Sequence, residues 1–274
     1  MKEAGDATRV IVIPCYNEAE RLKPERFHEF DDGGRSRFLF VNDGSADSTL
    51  DVLRELARAD EERFALLDLP HNSGKAEAVR RGLLQALTDE PDVVGYWDAD
   101  LATPLSAIPQ LCSLLETRKE LEIVLGARVK LMGRRIERQA HRHYLGRVFA
   151  TFASLVLRLP IYDTQCGAKV FRVSPVLRRV LEEPFRATWT FDVELLARFL
   201  QFSAEEGVPD PGRAIYEYPL HEWYDAPGSK VRPADYLRAV RELATIWHVY
   251  DLPATKRLGA GSSVGDGDRS GAPK

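Results

Sequence analysis

The chain has 274 residues, 44% of them hydrophobic, with a net charge of -4. That length allows one large domain with a substantial core, and the slightly acidic balance offers no global basic field for nucleic acid. Cys15, Cys112 and Cys166 are odd in number and lack metal-ligand spacing, which suits a reducing compartment; with no apolar run near the ~20 residues of a membrane span, the expectation is a cytoplasmic protein, at most peripheral at the cytoplasmic membrane face.

Arg9-Val10-Ile11-Val12-Ile13 is the kind of apolar run a strand buried on both faces of a parallel sheet requires. It ends at Pro14-Cys15-Tyr16-Asn17-Glu18. Phe38-Leu39-Phe40-Val41 repeats the pattern and ends at Asn42-Asp43-Gly44-Ser45. Ser45 or Asp47 can cap the next helix, expected from Thr49 to about Ala59 because Leu50, Leu53, Leu56 and Ala57 recur at helical spacing. Phe64-Ala65-Leu66-Leu67 is a third strand, ending at His71-Asn72-Ser73-Gly74-Lys75, and a helix bearing Ala78, Val79, Leu83, Leu84 and Leu87 follows. Val93 to Asp100 reads as the fourth strand. Its Asp98 and Asp100, two apart, would present their carboxylates on one side, with Pro104 then opening a helix.

Strand–helix alternation of this kind gives a doubly wound α/β sheet, whose ligands bind at the carboxyl ends of the strands. Asn17, Glu18, Asp43, Lys75, Asp98 and Asp100 all follow strand ends and so converge on one rim. No G-x-G-x-x-G follows the first strand and no Walker lysine loop occurs, which argues against a dinucleotide dehydrogenase or a P-loop enzyme. Two carboxylates that close repel unless a cation lies between them. A hard divalent ion with one or two carboxylates and substrate phosphates is the arrangement that fits.

Four strings, Ile13-Pro14-Cys15-Tyr16-Asn17-Glu18, Val41-Asn42-Asp43-Gly44-Ser45, Asn72-Ser73-Gly74-Lys75 and Asp98-Ala99-Asp100, resemble the nucleotide-sugar half of family 2 glycosyltransferases of the GT-A fold. Further along, Leu125-Gly126-Ala127-Arg128, Asp163-Thr164-Gln165-Cys166-Gly167-Ala168-Lys169-Val170-Phe171, Trp189-Thr190-Phe191-Asp192-Val193-Glu194 and Pro227-Gly228-Ser229-Lys230 resemble dolichyl-phosphate β-glucosyltransferases, with polyprenyl-phosphate mannosyltransferases sharing a looser pattern. The resemblance implies a single GT-A domain over residues 1–252, with a nucleotide-sugar half (about 9–128), acceptor-side helices (129–252) and a Gly- and Ser-rich tail (253–274) that reads as disordered. It implies inverting transfer of glucose from UDP-glucose to a polyprenyl (dolichyl-type) phosphate. Mannosyl transfer from GDP-mannose and a catalytically silent nucleotide-sugar-binding protein are the alternatives. Ala102 stands where the mannosyltransferases usually have Gln, which favours UDP-glucose. Eukaryotic members carry an N-terminal membrane anchor, whereas this sequence reaches its first strand almost at once.

The resemblance also assigns roles. Pro14, Tyr16, Asn17, Glu18, Asp43, Lys75 and Asp98 would bind the donor, with Glu18 at the ribose, Asp43 at the base edge and Lys75 facing the diphosphate. Asp98 and Asp100 would hold Mg²⁺ or Mn²⁺. Arg128, Arg138, Arg142, Gln165, Ser229 and Lys230 would serve the acceptor. Asp98, Asp100, Asp192 and Arg128 form the catalytic set. A phosphate acceptor is mostly dianionic at neutral pH, so Asp192 is expected to orient groups instead of taking a proton. Cys166 lacks an activating base and reads as a small buried side chain. The basic run from Arg128 to Arg147 leads into the apolar Val148–Leu157 stretch, which suits an acceptor with an anionic head and an apolar tail.

Overall fold

The computed structural model describes residues 8–137, 140–208, 210–225, 233–250 and 252, and of residues 140–145 and 233–236 only the helical backbone. Its strands are β1 (Arg9–Cys15), β2 (Ser36–Asp43), β3 (Phe64–Leu69), β4 (Val93–Trp97), β5 (Ile123–Ala127), β6 (Arg135–Glu137), β7 (Ala168–Arg172), β8 (Ile215–Pro219) and β9 (Glu222–Tyr224). The helices are α1 (Pro24–Glu29), α2 (Thr49–Ala59), α3 (Lys75–Ala86), α4 (Ala107–Thr117), α5 (Ala140–Leu157), α6 (Pro175–Glu182), α7 (Phe191–Glu205) and α8 (Pro233–Val249).

Seven strands form one sheet in the order β3-β2-β1-β4-β7-β5-β8, and β6 pairs with β9 in a small second sheet. All pairings in the large sheet are parallel except those of β7, which runs antiparallel between β4 and β5. Successive residues of a strand point to opposite faces. Val10 and Val12 accordingly join the core under α3, α5, α6, α7 and α8, while Ile11 and Ile13 join the core under α1, α2 and α4. Helices on both faces explain why the middles of β1 and β2, Val10–Ile13 and Phe38–Val41, are apolar at every position instead of alternating. The mostly parallel α/β sheet expected from the sequence is the one observed.

Two local expectations need correction. The fourth strand stops at Trp97, not Asp100. Asp98 still donates its N–H to Gly167 O at 2.9 Å, but Leu101 then donates to Asp98 O at 3.1 Å, and Leu101 takes a left-handed φ of 52°. Asp98 and Asp100 therefore belong to a tight turn, and strand alternation is not what brings them together. Nor does Pro104 open a helix. A turn closed by Ala107 N–H onto Pro104 O intervenes, and α4 begins at Ala107. The helix after β2 starts at Thr49 as expected. Of the two caps considered, Asp47 takes the Thr49 N–H, at 3.0 Å, while the Ser45 hydroxyl accepts from Asn17 N–H at 3.0 Å.

The apolar Val148–Leu157 stretch lies in α5. Ala150, Ala153, Val156 and Leu157 are buried, whereas Val148, Phe152 and Leu155 are exposed. Among the described residues no helix is long and apolar enough to cross a membrane.

Candidate active site

Where β1 and β2 end, the chain spends its turn residues on each other. Asn17, at φ 52°, accepts from Ala46 N–H through Oδ1 at 2.9 Å, and Glu18 N–H donates to Thr49 Oγ1 at 2.8 Å. Asp43 is buried and accepts from Ser73 N–H at 2.7 Å and Gly74 N–H at 2.9 Å, so it fixes the loop that leads into α3. Burial pushes the Asp43 carboxyl above its ordinary range, and those two amides pull it back only in part. Gly44, at φ 59°, leaves the room this loop needs, because a Cβ there would lie 2.4 Å from His71 C.

Four charges meet at the β4 turn. Lys75 Nζ lies 2.5 Å from Asp98 Oδ1, and Arg21 bridges Glu18 at 3.1 Å and Asp100 at 3.6 Å. Lys75, Asp98, Arg21 and Asp100, the four at the turn, stay partly open, from 26% exposed for Asp100 to 45% for Lys75, and Glu18 behind Arg21 is more covered. Burial raises the Asp100 carboxyl and the Asp98 charge raises it further, against the pull of Lys75 and Arg21. Burial works to lower the Lys75 ammonium, yet Asp98 and Asp192 outweigh it and leave it above the ordinary lysine value. Gly167 packs against this turn. A Cβ there would fall 1.9 Å from Asp98 Oδ2, so only glycine lets β7 approach the carboxylate.

Behind the turn is a second set of charges, this one sealed. Lys169, in mid-β7 and fully buried, places Nζ 2.8 Å from Asp192 Oδ1, 2.5 Å from Cys166 O and 5.1 Å from the Tyr96 ring centre. Tyr96 also donates its hydroxyl to Asp192 Oδ1. Arg128 grips Asp163 with a two-pronged fork, Nε–Oδ2 at 2.6 Å and Nη2–Oδ1 at 2.7 Å, and lies 5.3 Å from the Trp223 ring. Burial opposes the Arg128 charge, but Asp163 more than compensates, and the guanidinium is held above its usual value. Cys166 is fully buried, its thiol pushed up to about 11 by burial and by Asp163, as expected of a packing residue and not a nucleophile.

Of the residues singled out in the sequence, Glu18 and Asp100 are thus joined through Arg21, and Lys75 pairs with Asp98 two residues before Asp100 in the same turn, with Asp43 bonded to the loop ahead of Lys75. Tyr16, 43% exposed, follows directly on β1, two residues after Pro14. Gln165 is part-exposed and lines, with Arg128 and Thr164, a small separate pocket beneath α5. Arg142 lies on α5 with only its backbone described, and Arg138, Ser229, Lys230 and the tail 253–274 lie outside the described residues. A larger cleft of about 810 Å³ opens beside Asp100, between α1 and the segment from Leu101 into the first turn of α4, and Tyr224 also lines it. Glu18, Asp43, Lys75 and Asp98 do not line it.

Arg21, Tyr96, Asp163 and Lys169 were not anticipated as site residues. Asp163 had a signal, since it opens the Asp-Thr-Gln-Cys-Gly string. Arg21 had a weak one, three residues after Glu18. Lys169 falls in the Asp163–Phe171 string that carries the resemblance but has no role attached there: a lysine between Ala168 and Val170 reads as a break in an apolar run, and only the antiparallel pairing to Tyr96 and Leu125 shows why it is buried.

Residues 10–179 match the family model described as glycosyl transferase family 2, and the chain belongs to that family. The dolichyl-phosphate β-glucosyltransferase of Drosophila melanogaster is 30% identical over 260 residues, covering 88% of this chain and 74% of the relative. The Saccharomyces cerevisiae dolichyl-phosphate β-glucosyltransferase is 28% identical over 263 residues, covering 88% and 75%. Among solved structures, glucosyl-3-phosphoglycerate synthase from Mycobacterium tuberculosis, in complex with Mn²⁺, UDP and glucosyl-3-phosphoglycerate, superimposes with a TM-score of 0.62. It shares 20% identity, with 91% of this chain and 84% of that one covered. A Pyrobaculum calidifontis mannosyltransferase with GDP-mannose and Mn²⁺ gives 0.61 at 18% identity, covering 90% and 66%. The fold is the GT-A fold, and the chain is a sugar-transferring enzyme.

Proposed function

We propose that the chain transfers glucose from UDP-glucose to a polyprenyl phosphate of the dolichyl type, with inversion at the anomeric carbon, at the cytoplasmic face of a membrane. The observation that carries this reading is the open cluster of Lys75, Asp98, Asp100 and Arg21 at the ends of the parallel strands. Its two carboxylates suit a hard divalent cation whose remaining ligands are diphosphate oxygens and water. Among the described residues no group of three His, Cys, Asp or Glu side chains can hold a metal without such help. Asp98 and Asp100 would hold Mg²⁺ or Mn²⁺, which when bound offsets charge on the departing diphosphate.

The chain's own groups do the rest. Lys75 lies against Asp98 and supplies a further cation beside the diphosphate. Glu18, Tyr16 and Asn17 at the end of β1 and Asp43 at the end of β2 border the space for the nucleoside. Asp192 has Oδ1 occupied by Lys169 and Tyr96, which fits a fixed anion better than a proton acceptor. An acceptor phosphate already mostly dianionic needs no base. Its oxygen attacks the anomeric carbon, the bond from that carbon to the donor phosphate breaks, and the electron pair leaves with UDP. Arg128, with Arg142 and Arg138 ahead of the apolar part of α5, would bind the acceptor head, and Gln165, Ser229 and Lys230 would complete that side.

The test is incubation with labelled UDP-glucose or GDP-mannose, divalent metal and polyprenyl phosphate, followed by extraction into organic solvent. Label from UDP-glucose should partition with the lipid and that from GDP-mannose should not. Extraction of mannose alone would reverse the donor assignment, and no lipid-soluble label from either would remove the acceptor assignment. UDP-glucose should also raise the melting temperature by linkage, while GDP-mannose does little.

A further inference from the structure

Seven of the large hydrophobic side chains left exposed in the described residues lie on just two helices, α5 and α8. Val148, Phe152 and Leu155 on α5 are spaced i, i+4, i+7, which at 100° per residue keeps them within about 60° of one another. Leu237, Val240 and Trp247 on α8 are spaced i, i+3, i+10 and fall within about 80°. The helices pack against each other, and their C-terminal ends meet where Arg158 lies 5.6 Å from the Trp247 ring and donates to Leu252 O at 2.6 Å. Single exposed apolar residues need no explanation, but a grouping of this kind on adjoining helices marks a contact surface.

Charge decides what the surface contacts. Arg147 and Arg158 flank the α5 stripe and Arg238 and Arg241 the α8 stripe, all of them exposed. The α5 sequence has no Asp or Glu at all. On α8, Glu242 is committed to capping residues 188–190. A symmetric pairing of two copies would set this patch against itself and bring like charges together. An anionic lipid surface instead accepts the apolar stripes at the headgroup–acyl boundary and neutralises the arginines. We infer that α5 and α8 lie side by side in the interface of an anionic bilayer, so that the enzyme is held there without a membrane-spanning helix among its described residues.

This goes beyond the proposed reaction, and the two can fail separately. The experiment is co-sedimentation of the full chain with phosphatidylcholine vesicles and with vesicles containing about 30% phosphatidylglycerol. Binding should require the anionic lipid and weaken with salt. Each arginine near an anionic surface contributes about fivefold, so R238Q/R241Q should lose about 25-fold in partitioning. F152S/W247S should lose at least about tenfold; both positions are exposed, so an unchanged melting temperature is expected to accompany the loss. Equal vesicle binding by the wild type and F152S/W247S overturns the inference. So does absence of vesicle binding together with a concentration-dependent dimer that F152S/W247S abolishes, which would assign the face to a second copy. Transfer to detergent-solubilised polyprenyl phosphate, measured on R238Q/R241Q, should be unaffected; if the wild type shows no transfer at all, the reaction falls and the vesicle result stands by itself.

Discussion

The two groups of charges on either side of the β4 turn have similar residues and opposite surroundings. In front, Lys75 and Asp98 pair at 2.5 Å with side chains 45% and 34% exposed. Behind, Lys169 and Asp192 pair at 2.8 Å with side chains 0% and 7% exposed. A half-open pair gains little from its own attraction because water screens it, and it can exchange partners when a ligand arrives. A sealed pair has lost its water and cannot exchange without leaving a bare charge in the core. The front group is therefore available for chemistry, and the back group is committed to geometry. Arg128 and Asp163, at 15% and 8%, stand between these cases.

If that division is right, variants should separate by what they damage. The largest effect expected is on stability, from Lys169→Met, which strands Asp192 beside Tyr96. Removing one partner of a buried ion pair typically costs about 3–5 kcal/mol. Thermal denaturation checks this, and K169M/D192N should recover most of the loss because it removes both charges. A single variant as stable as the wild type would show that the back group is not a committed pair.

Next comes Asp100→Asn, which should lower turnover at least about 10²-fold, the scale of losing one electrostatic stabiliser. Melting temperature in the absence of ligand should change little. Measuring donor consumption across a Mn²⁺ titration, with an EDTA control, distinguishes the two outcomes, and near-normal rates would remove the metal site from the front group.

Arg128→Lys sharpens the intermediate case. An ammonium cannot reproduce the fork on Asp163, and kcat/KM for the lipid acceptor should fall about tenfold. UDP-glucose affinity should stay within about a factor of two. Loss of donor affinity with unchanged acceptor dependence would move Arg128 to the donor side.

The smallest effect is expected from Glu242→Gln. Glu242 accepts the N–H groups of Thr188, Trp189 and Thr190 ahead of α7, at 3.1, 3.0 and 2.8 Å. Burial works to raise its carboxyl, but these bonds prevail and its pKa lies below the ordinary glutamate value. An acid with a depressed folded pKa contributes stability that is fully present above its unfolded pKa and is lost as pH falls through the folded one. Denaturation at pH 7 should therefore show a deficit of about 1 kcal/mol for Glu242→Gln. That deficit should close progressively below about pH 4. A gap that is independent of pH would mean that the amide groups do not hold the ionised form.

The front group could be read from the sequence because a parallel strand buried on both faces announces its own end: Ile13, Val41 and Leu67 each give way to polar turn residues, and those turns share one rim. Even there the reading of Asp98 and Asp100 as strand neighbours failed, because the turn at Leu101 depends on where β7 docks. In the back group Asp192 and Arg128 stood out through the resemblance, but their pairing with Lys169 and Asp163 was illegible for the same reason. Nothing in Ala168 to Arg172 says that this short segment will run antiparallel between β4 and β5, and until it does, Lys169 has no reason to be buried. The exposed stripe of α8 escaped notice too, since its spacing becomes informative only once Leu243 and Ile246 are seen to occupy the opposite, buried side.

The placement of β7 also governs the order in which the sheet can be completed during synthesis. β1 to β4 emerge from the ribosome as a ready parallel set, but the free side of β4 cannot be covered by β5, the next strand in line. It waits for residues 168–172, which at about 5–20 residues per second follow several seconds later. For that interval the nascent chain displays an unpaired edge, Val93-Val94-Gly95-Tyr96-Trp97, with no charge to discourage another strand from adding to it. The segment that packs against the Asp98 turn in the finished protein is also the one that ends this exposure.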